Sequence, residues 1–332
     1  MTIYSIQSGD WFDSSTWDGG VVPDPYNDDV VIVSGHTVEL GNGNSTSIES
    51  GHYLTIESGA SLIISGTMTL NWGSTLDVSG NLDVQNSYSL YVYGYMTIQG
   101  GASLNVNYGY LYLEGDTKYV YGSLYVGGSG YAYLQYSCNL YVYGSLYLDW
   151  SGSLYLYQYA YLYLESGSST TVQGYLSTDY YSYAYVHAAL DVPSGGSIWL
   201  GNSSGLYVES AGRLSLHGWM SVDYYSYSNV ASGGKVIVHT DGGIGVQYYS
   251  TYSVDWDGLI DVFGSFSISY DSYLNVNGGG RMRIFRSMNL SGQIYGGGRI
   301  DMMRRECRVN DYNGNPLIFF DHAYGFGQTL VA

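Results

Sequence analysis

The chain has 332 residues, of which 41 are tyrosine and 47 are glycine, while only 11% are charged. Residues 1–280 hold 24 acidic side chains against three basic ones (−21), and residues 281–332 hold seven arginines against four acidic side chains (+3). Because an acidic body repels nucleic-acid phosphates and anionic lipid, neither nucleic acid nor membrane insertion is expected.

The first 43 residues contain Trp11, Trp17, Pro23 and Pro25. In order they read Gly-x-Trp over 9–11, Thr-Trp over 16–17, Gly-x-Val-Pro over 20–23, Asp-Asp-Val-x-Ile over 28–32 and Gly-x-Thr-Val over 35–38. This order resembles the opening segment of bacterial and phage surface β-helix proteins and overlaps the pattern of the G8 domain. The resemblance implies a cap over the first turn of a β-helix, and it implies no particular chemistry.

Two further observations concern this opening segment. Asp28 and Asp29 together suit calcium, but a carboxylate pair at the start of a strand is more often a turn or a solvated edge, so no metal or other cofactor is predicted. The start has no basic region followed by an apolar run, so no signal peptide is recognised, and no later stretch is long enough to span a bilayer. We expect an extracellular, cell-surface or virion-surface protein.

Residues 44–290 repeat. The pattern x-x-apolar-x-apolar returns with steps of 21 to 24 residues, starting at Asn44, Gly66, Tyr88, Gly109, Gly130, Gly152, Gly174, Gly196, Gly218, Gly242, Gly264 and Arg286. A fixed period of this size is typical of a solenoid, whose turns pack only on their neighbours.

Each repeat contains three short segments in which apolar residues alternate with polar residues or tyrosine, and alternation with period two indicates strands. Glycine-containing corners separate the segments. A two-strand coil of about 14 residues fits the first repeats and then drifts, whereas the longer period persists. The sequence therefore predicts an all-β, right-handed, three-sided parallel β-helix with about 22 residues per turn and about 12 turns.

Residues 88–186 place aliphatic side chains at one parity and tyrosine at the other, so the tyrosines are expected to point outward. In the repeat register Tyr91, Tyr112, Tyr133 and Tyr155 lie one above the next, close enough for their rings to stack. Tyr93, Tyr143 and Tyr157 extend the outward tyrosines. Tyrosine also favours strands for structural reasons alone, but an aromatic face this wide predicts contact with another surface.

Residues 291–332 form the third predicted region, a basic capping or docking segment after the N-terminal cap (1–43) and the tyrosine-rich β-helix (44–290). The arginines predicted to meet the acidic end of a neighbouring copy lie in this segment and just before it: Arg281, Arg283, Arg286, Arg304, Arg305 and Arg308. Simple solubilisation explains them equally well. Cys138 and Cys307 lie far apart in the repeat, which argues against a disulfide framework.

Because β-helices also serve as polysaccharide lyases and hydrolases, a polysaccharide-cleaving site is a competing hypothesis. Lys118, Arg213 and Lys235 are the only lysines and arginines in residues 44–280, and they lie on different turns. Asp179 and Asp223 share a register two turns apart, about 9.6 Å, which meets the separation of an inverting glycosidase, although an aspartate before a corner more often caps the turn. His187 with His217 or His239 is expected to be solvated or hydrogen-bonded. No catalytic residue is predicted.

The resulting functional hypothesis is a non-enzymatic structural protein, a self-assembling building block of a fibre, surface layer or virion appendage. Its partner is another copy of itself, contacted through the tyrosine ladders and head to tail through the ends. The alternative is a glycan-binding adhesin or a tailspike-like module that recognises or cleaves a polysaccharide, with tyrosine and Trp199 or Trp219 stacking on sugar rings. An ice-binding solenoid is weaker, because its rows would be threonine.

Overall fold

The chain is all-β: three parallel sheets form a β-solenoid of about 12 turns, with about 22 residues per turn. The predicted fold class is thereby confirmed. The computed structural model describes residues 1–41, 43–269, 271–303, 308–310, 316–318 and 329–331. It separates into an N-terminal unit, residues 1–162 with 167–169, and a C-terminal unit, residues 163–166 with 170–332.

The N-terminal unit contains three sheets, N1, N2 and N3, whose neighbouring strands are one turn apart in sequence. Sheet N1 consists of Thr2–Tyr4, Asp29–Ile32, Tyr53–Ile56, Thr75–Val78, Tyr95–Ile98, Lys118–Val120 and Asn139–Val142. Sheet N2 consists of Gly9–Asp10, Thr37–Leu40, Ser61–Ile64, Asn81–Gln85, Ser103–Asn107, Ser123–Gly127 and Ser145–Leu148. Sheet N3 consists of Ser45–Ile48, Thr67–Leu70, Ser89–Val92, Tyr110–Glu114, Tyr131–Gln135 and Ser153–Leu156. Two short 3₁₀ turns, Ser14–Thr16 and Asp18–Gly20, interrupt the first turn.

The C-terminal unit repeats this arrangement in sheets C1, C2 and C3. Sheet C1 consists of Tyr183–Val186, Gly205–Val208, Tyr227–Val230, Thr251–Val254, Tyr273–Val276 and Gln293–Tyr295. Sheet C2 consists of Ala189–Val192, Arg213–Leu216, Lys235–Val238, Leu259–Val262, Arg281–Ile284, Arg299–Met302 and the antiparallel Thr329–Val331. Sheet C3 consists of Tyr175–Thr178, Ser197–Leu200, Trp219–Val222, Gly243–Val246, Ser265–Ile268, Ser287–Leu290, Arg308–Asn310 and the antiparallel Pro316–Ile318. The division between the units passes through strands Tyr161–Leu164 and Ser169–Val172.

The core follows from strict alternation along each strand. In a typical strand such as Ser61–Ile64, the second and fourth residues are buried and the first and third are partly exposed. Leucine, valine and isoleucine fill the inward positions, because parallel strands in register stack identical positions above one another. The repeat residues predicted to face inward are buried, apart from Thr46 and Leu290 at the two ends of the repeat, which are half-buried.

Many corners differ from the expectation that glycine would supply their positive φ angles. Among the described residues, seven corners use two consecutive non-glycine residues with φ between 44° and 66°: 86–87, 136–137, 158–159, 180–181, 202–203, 224–225 and 248–249. This conformation costs about 1–2 kcal/mol per residue for an ordinary side chain. The backbone N–H of Tyr225 donates to the Tyr248 carbonyl at 3.0 Å, so hydrogen bonding between successive corners offsets that cost.

Carboxylates and amides also pair between successive turns. Asn71 donates to Glu49 at 2.7 Å, Asn105 to Asp83 at 2.7 Å, and Asn277 to Asp255 at 2.7 Å. Such a pair gives the carboxylate a hydrogen-bond donor, where a second carboxylate at that position would repel it. The outward rows are therefore ordered as well as the core.

The N-terminal end is closed by buried aromatic side chains. Trp11 and Trp17 are 1% and 0% exposed, and their rings meet edge to face at 5.1 Å. The Trp17 indole N–H donates to the Trp11 carbonyl at 2.7 Å. Both tryptophans lie in the segment that carries the G8-like motif. The relation to that family stays a prediction. The boundaries of the three predicted regions stay predictions as well.

Candidate functional site

The outer face of sheet N3 carries a continuous group of tyrosines, here called the Tyr patch: Tyr91, Tyr93, Tyr110, Tyr112, Tyr131, Tyr133, Tyr155 and Tyr157. The strands pair in register, with Tyr91 opposite Tyr112, Tyr112 opposite Tyr133 and Tyr133 opposite Tyr155. Their rings stack with centroid distances of 4.6, 5.0 and 5.3 Å and interplanar angles of 6°, 8° and 14°. The predicted ladder of these four residues is thus present in the structure.

A second direction of contact joins the rows. Along their own strands Tyr110 lies 6.4 Å from Tyr112 and Tyr131 lies 6.3 Å from Tyr133, ring centroid to ring centroid. Tyr110 and Tyr131 also stack on each other at 5.6 Å. All eight residues of the Tyr patch are half-buried. The patch is therefore a two-dimensional array in which each side chain is supported by neighbours.

Burial raises the pKa of three hydroxyl groups in the Tyr patch. Burial raises the pKa of Tyr133 to about 12, and the neighbouring phenols Tyr112 and Tyr155 add to the shift because their ionised forms would repel it. The pKa values of Tyr93 and Tyr112 are raised for the same leading reason. Tyr93, Tyr112 and Tyr133 therefore stay uncharged across the physiological range.

Stacking decides which parts of the rings a partner can reach. Tyr112 has Tyr91 on one face and Tyr133 on the other, and Tyr133 lies likewise between Tyr112 and Tyr155. Both faces of these two rings are therefore covered by neighbouring rings. Sugar rings stack on open aromatic faces, so the interior of the Tyr patch suits a protein surface better than a glycan.

One of the seven tyrosines predicted to form the ladder, Tyr143, lies outside the Tyr patch. Tyr143 follows the last strand of sheet N1 and stacks on Tyr121 at 5.0 Å, whereas Tyr157 lies beside Tyr155 at 5.8 Å within the Tyr patch. Further stacks include Tyr185 with Tyr207 at 5.1 Å and, at the corners, Tyr224 with Tyr248 at 4.9 Å. The sequence repeat predicted that ladders would form, but it did not assign each tyrosine to one surface.

Two of the six arginines predicted to dock ends together are partnered within the chain. Arg281 contacts Asp301 at 2.6 Å, and Arg283 forms an ion pair with Asp261. Arg286 is exposed and has no ion pair with a described residue. Arg304 and Arg305 lie outside the described residues, as does the side chain of Arg308.

Asp179 and Asp223, the pair weighed for glycosidase chemistry, are both hydrogen-bonded within the chain. Asp179 is 6% exposed, accepts from its own corner at Tyr180 N (2.9 Å) and accepts from the Asn202 amide (2.7 Å). Asp223 is 5% exposed and accepts from the Trp199 indole at 2.8 Å. Each carboxylate is thus held by groups of its own chain, and the contact of Asp179 with Tyr180 N agrees with the turn-capping alternative.

Lys118, one of the three bases named for a lyase-like site, lies in the core. It is 0% exposed, and its ammonium group donates to the carbonyls of Gly94, Asp116 and Glu114 at 2.6, 2.8 and 3.0 Å. Cys138 is buried in the same region, and burial raises the pKa of its thiol to about 12.

Two histidines do approach each other. The rings of His217 and His239 stack at 3.7 Å; His217 Nδ1 lies 2.9 Å from Asp241, and His239 Nε2 lies 3.0 Å from the Ser215 hydroxyl. Burial, followed by repulsion from His217, lowers the pKa of His239. Each ring has a partner within the chain, and no group of three potential metal ligands occurs among the described residues.

The aspartates weighed for calcium are also engaged. Asp28 accepts from the backbone N–H of Asp24 at 2.8 Å, and Asp29 lies 3.1 Å from His52 Nδ1. The Asp28 contact orders the turn before strand Asp29–Ile32, and the Asp29 contact joins the start of that strand to His52 in the next turn.

Comparison with known proteins shows no family for this chain. No protein-family model matches the chain, and no curated protein matches it. Among solved structures it is similar to a hyperglycosylated fragment of TibA, residues 55–350, whose glycosylation was catalysed by TibC, with 18% identity and a TM-score of 0.38. The similarity covers 89% of this chain and 91% of the other. A likeness at this level carries no functional argument. Within the described residues, no helix combines the length and apolarity needed to cross a membrane.

Proposed function

We propose that this chain is a non-enzymatic building block of an extracellular fibre, a surface layer or a virion appendage, whose copies associate through the Tyr patch. The observation that supports this function is the continuity of the patch. Four neighbouring strands of sheet N3 present six phenol rings, and Tyr93 and Tyr157 directly after two of these strands add two more; the rings contact one another in both directions.

Tyrosine suits such a contact for three physical reasons. Its ring removes a large apolar area from water, and its hydroxyl group still donates and accepts hydrogen bonds at the rim. A tyrosine side chain has few rotatable bonds, and stacking has already ordered those of the patch, so association loses little conformational entropy. A contiguous apolar surface on a soluble protein commonly marks a contact site.

The C-terminal arginines contribute less to this proposal than the Tyr patch. Arg281 and Arg283 are already paired with Asp301 and Asp261, so a partner would have to compete for them. Docking of ends remains a secondary contact, one that Arg286 is free to join within the described part of the chain.

The test is a pair of matched double variants. Tyr112→Ser with Tyr133→Ser removes two central rings, and serine is compatible with this face because Ser89 and Ser153 occupy outward positions opposite Tyr110 and Tyr131. Tyr224→Asn with Tyr248→Asn removes an equally stacked corner pair and keeps residues that tolerate positive φ. Sedimentation velocity over a concentration series and electron microscopy report the assembly.

We expect the patch variant to raise the dissociation constant of self-association by about ten-fold or more, and the corner variant to leave it unchanged. Thermal melting of both variants checks that the fold persists. A wild-type chain that stays monomeric at high concentration would contradict the proposal, as would equal losses in the two variants.

A further inference from the structure

A different surface, on sheet C3, carries two tryptophans. The outward positions of its first five strands are uncharged, and they are mostly small: Tyr175, Ser177, Ser197, Trp199, Trp219, Ser221, Gly243, Gly245, Ser265 and Ser267. Trp199 is opposite Ser221, and Ser197 is opposite Trp219, so the two indoles lie on neighbouring strands. We call the surface formed by Trp199, Trp219 and the adjoining serines the Trp platform.

Trp219 lies flat across the next strand. A side-chain carbon at position 243 would be 2.2 Å from Cζ3 of its indole, and one at position 245 would be 3.2 Å from Cζ2. Both glycines are buried, while Trp219 is 45% exposed. One face of the ring therefore rests where side chains at 243 and 245 would stand, and the other face is open to solvent.

Trp199 is held in place by a carboxylate. Its indole N–H donates to Asp223 Oδ2 at 2.8 Å, and the Ser221 hydroxyl donates to the same oxygen at 2.9 Å. Its ring occupies the space above Gly201, with Cη2 2.3 Å from where a side-chain carbon would lie. Asp223 is itself only 5% exposed, so its carboxylate is held in place and fixes the position of the indole that donates to it.

An open indole face with hydroxyl groups around it matches the chemistry of a pyranose ring. The C–H groups on one face of the sugar pack on the aromatic surface, and the equatorial hydroxyl groups reach serine side chains such as Ser265 and Ser267, which pair with Gly243 and Gly245. The absence of charge among the outward positions of these five strands favours a neutral sugar over an acidic one.

From this geometry we infer that the Trp platform is a binding site for a neutral saccharide chain. The site is independent of the Tyr patch, whose ring faces are covered by stacking. A scaffold with both surfaces would assemble through one and hold glycan through the other. The inference does not rest on self-assembly.

The test measures binding of three neutral β-1,4-linked probes, cellohexaose, xylohexaose and N-acetylchitohexaose, to the full chain by saturation-transfer NMR and calorimetry. Trp219→Ala removes the open ring, and Gly245→Val displaces it by filling the space beneath. Trp256→Ala is the matched control, since this tryptophan is 69% exposed and lies over Gly279, at a corner outside the platform.

We expect at least one probe to bind, with affinity lowered about ten-fold by Trp219→Ala and by Gly245→Val and unchanged by Trp256→Ala. Trp219→Phe restores part of the affinity. Failure of every probe to bind the wild-type chain overturns the inference, and so does an equal loss in Trp256→Ala. Sedimentation separates this result from the proposed function: Trp219→Ala should assemble normally, and the Tyr112/Tyr133 variant should bind sugar normally.

Discussion

Lys118 shows how a single side chain departs from the pattern around it. It occupies an inward position between Met96 and Leu140, where the neighbouring turns place apolar side chains. Burial lowers the pKa of its ammonium group, and three backbone carbonyls around the corner 114–117 accept its hydrogen bonds. A charge in the core is tolerated here because each of its donors has an acceptor.

Replacing Lys118 by methionine should lower the free energy of unfolding by about 1–3 kcal/mol, because buried carbonyls lose their donor. Chemical denaturation measures the change. Lys235→Met is the matched control, since that side chain is 42% exposed and only 4.0 Å from Asp261, and it should stay within about 0.5 kcal/mol of wild type. Equal stability of the two variants would show that the carbonyl contacts contribute nothing.

At the scale of strands and corners, the sequence predicts most of the architecture. Alternation fixed which residues of a strand such as Tyr131–Gln135 face the core, and the repeat placed Tyr91 above Tyr112. The positive φ angles of Tyr224 and Tyr225 could not be predicted, since those residues rarely adopt them and the stabilising hydrogen bonds come from the next corner. The space beneath the Trp219 ring requires glycine at both 243 and 245. A glycine in a strand does not by itself predict that an aromatic ring lies over it.

The Tyr patch should be visible in an alkaline titration. The folded pKa of Tyr133, about 12, is above the ordinary value of 10.0, so the stabilisation from its burial is complete below pH 10 and is lost as the pH rises towards 12. We expect ultraviolet absorbance to show part of the tyrosine ionising later in the folded chain than in guanidinium-unfolded chain. Tyr112→Ser should shrink that late fraction; an unchanged curve would mean that the patch is solvated.

For the molecule as a whole, the formal net charge of −18 opposes association of copies, and dissolved salt screens this repulsion. Assembly through the uncharged Tyr patch should therefore strengthen between low and moderate ionic strength. Assembly through arginine and carboxylate ends should weaken over the same range. Light scattering across a sodium chloride series distinguishes the two, and weakening with salt would move the contact from the patch to the ends.

The pairing of amides with carboxylates in successive turns has a consequence for the lifetime of the protein. Asn277 donates to Asp255 at 2.7 Å and is followed by Gly278. Because glycine has no side chain to obstruct the reaction, the side-chain amide of Asn277 is open to hydrolysis. Hydrolysis would turn the donor into a second carboxylate directly against the first. Chemical ageing at this one position would thus convert an attraction between turns into a repulsion, and the outer surface would loosen from that point.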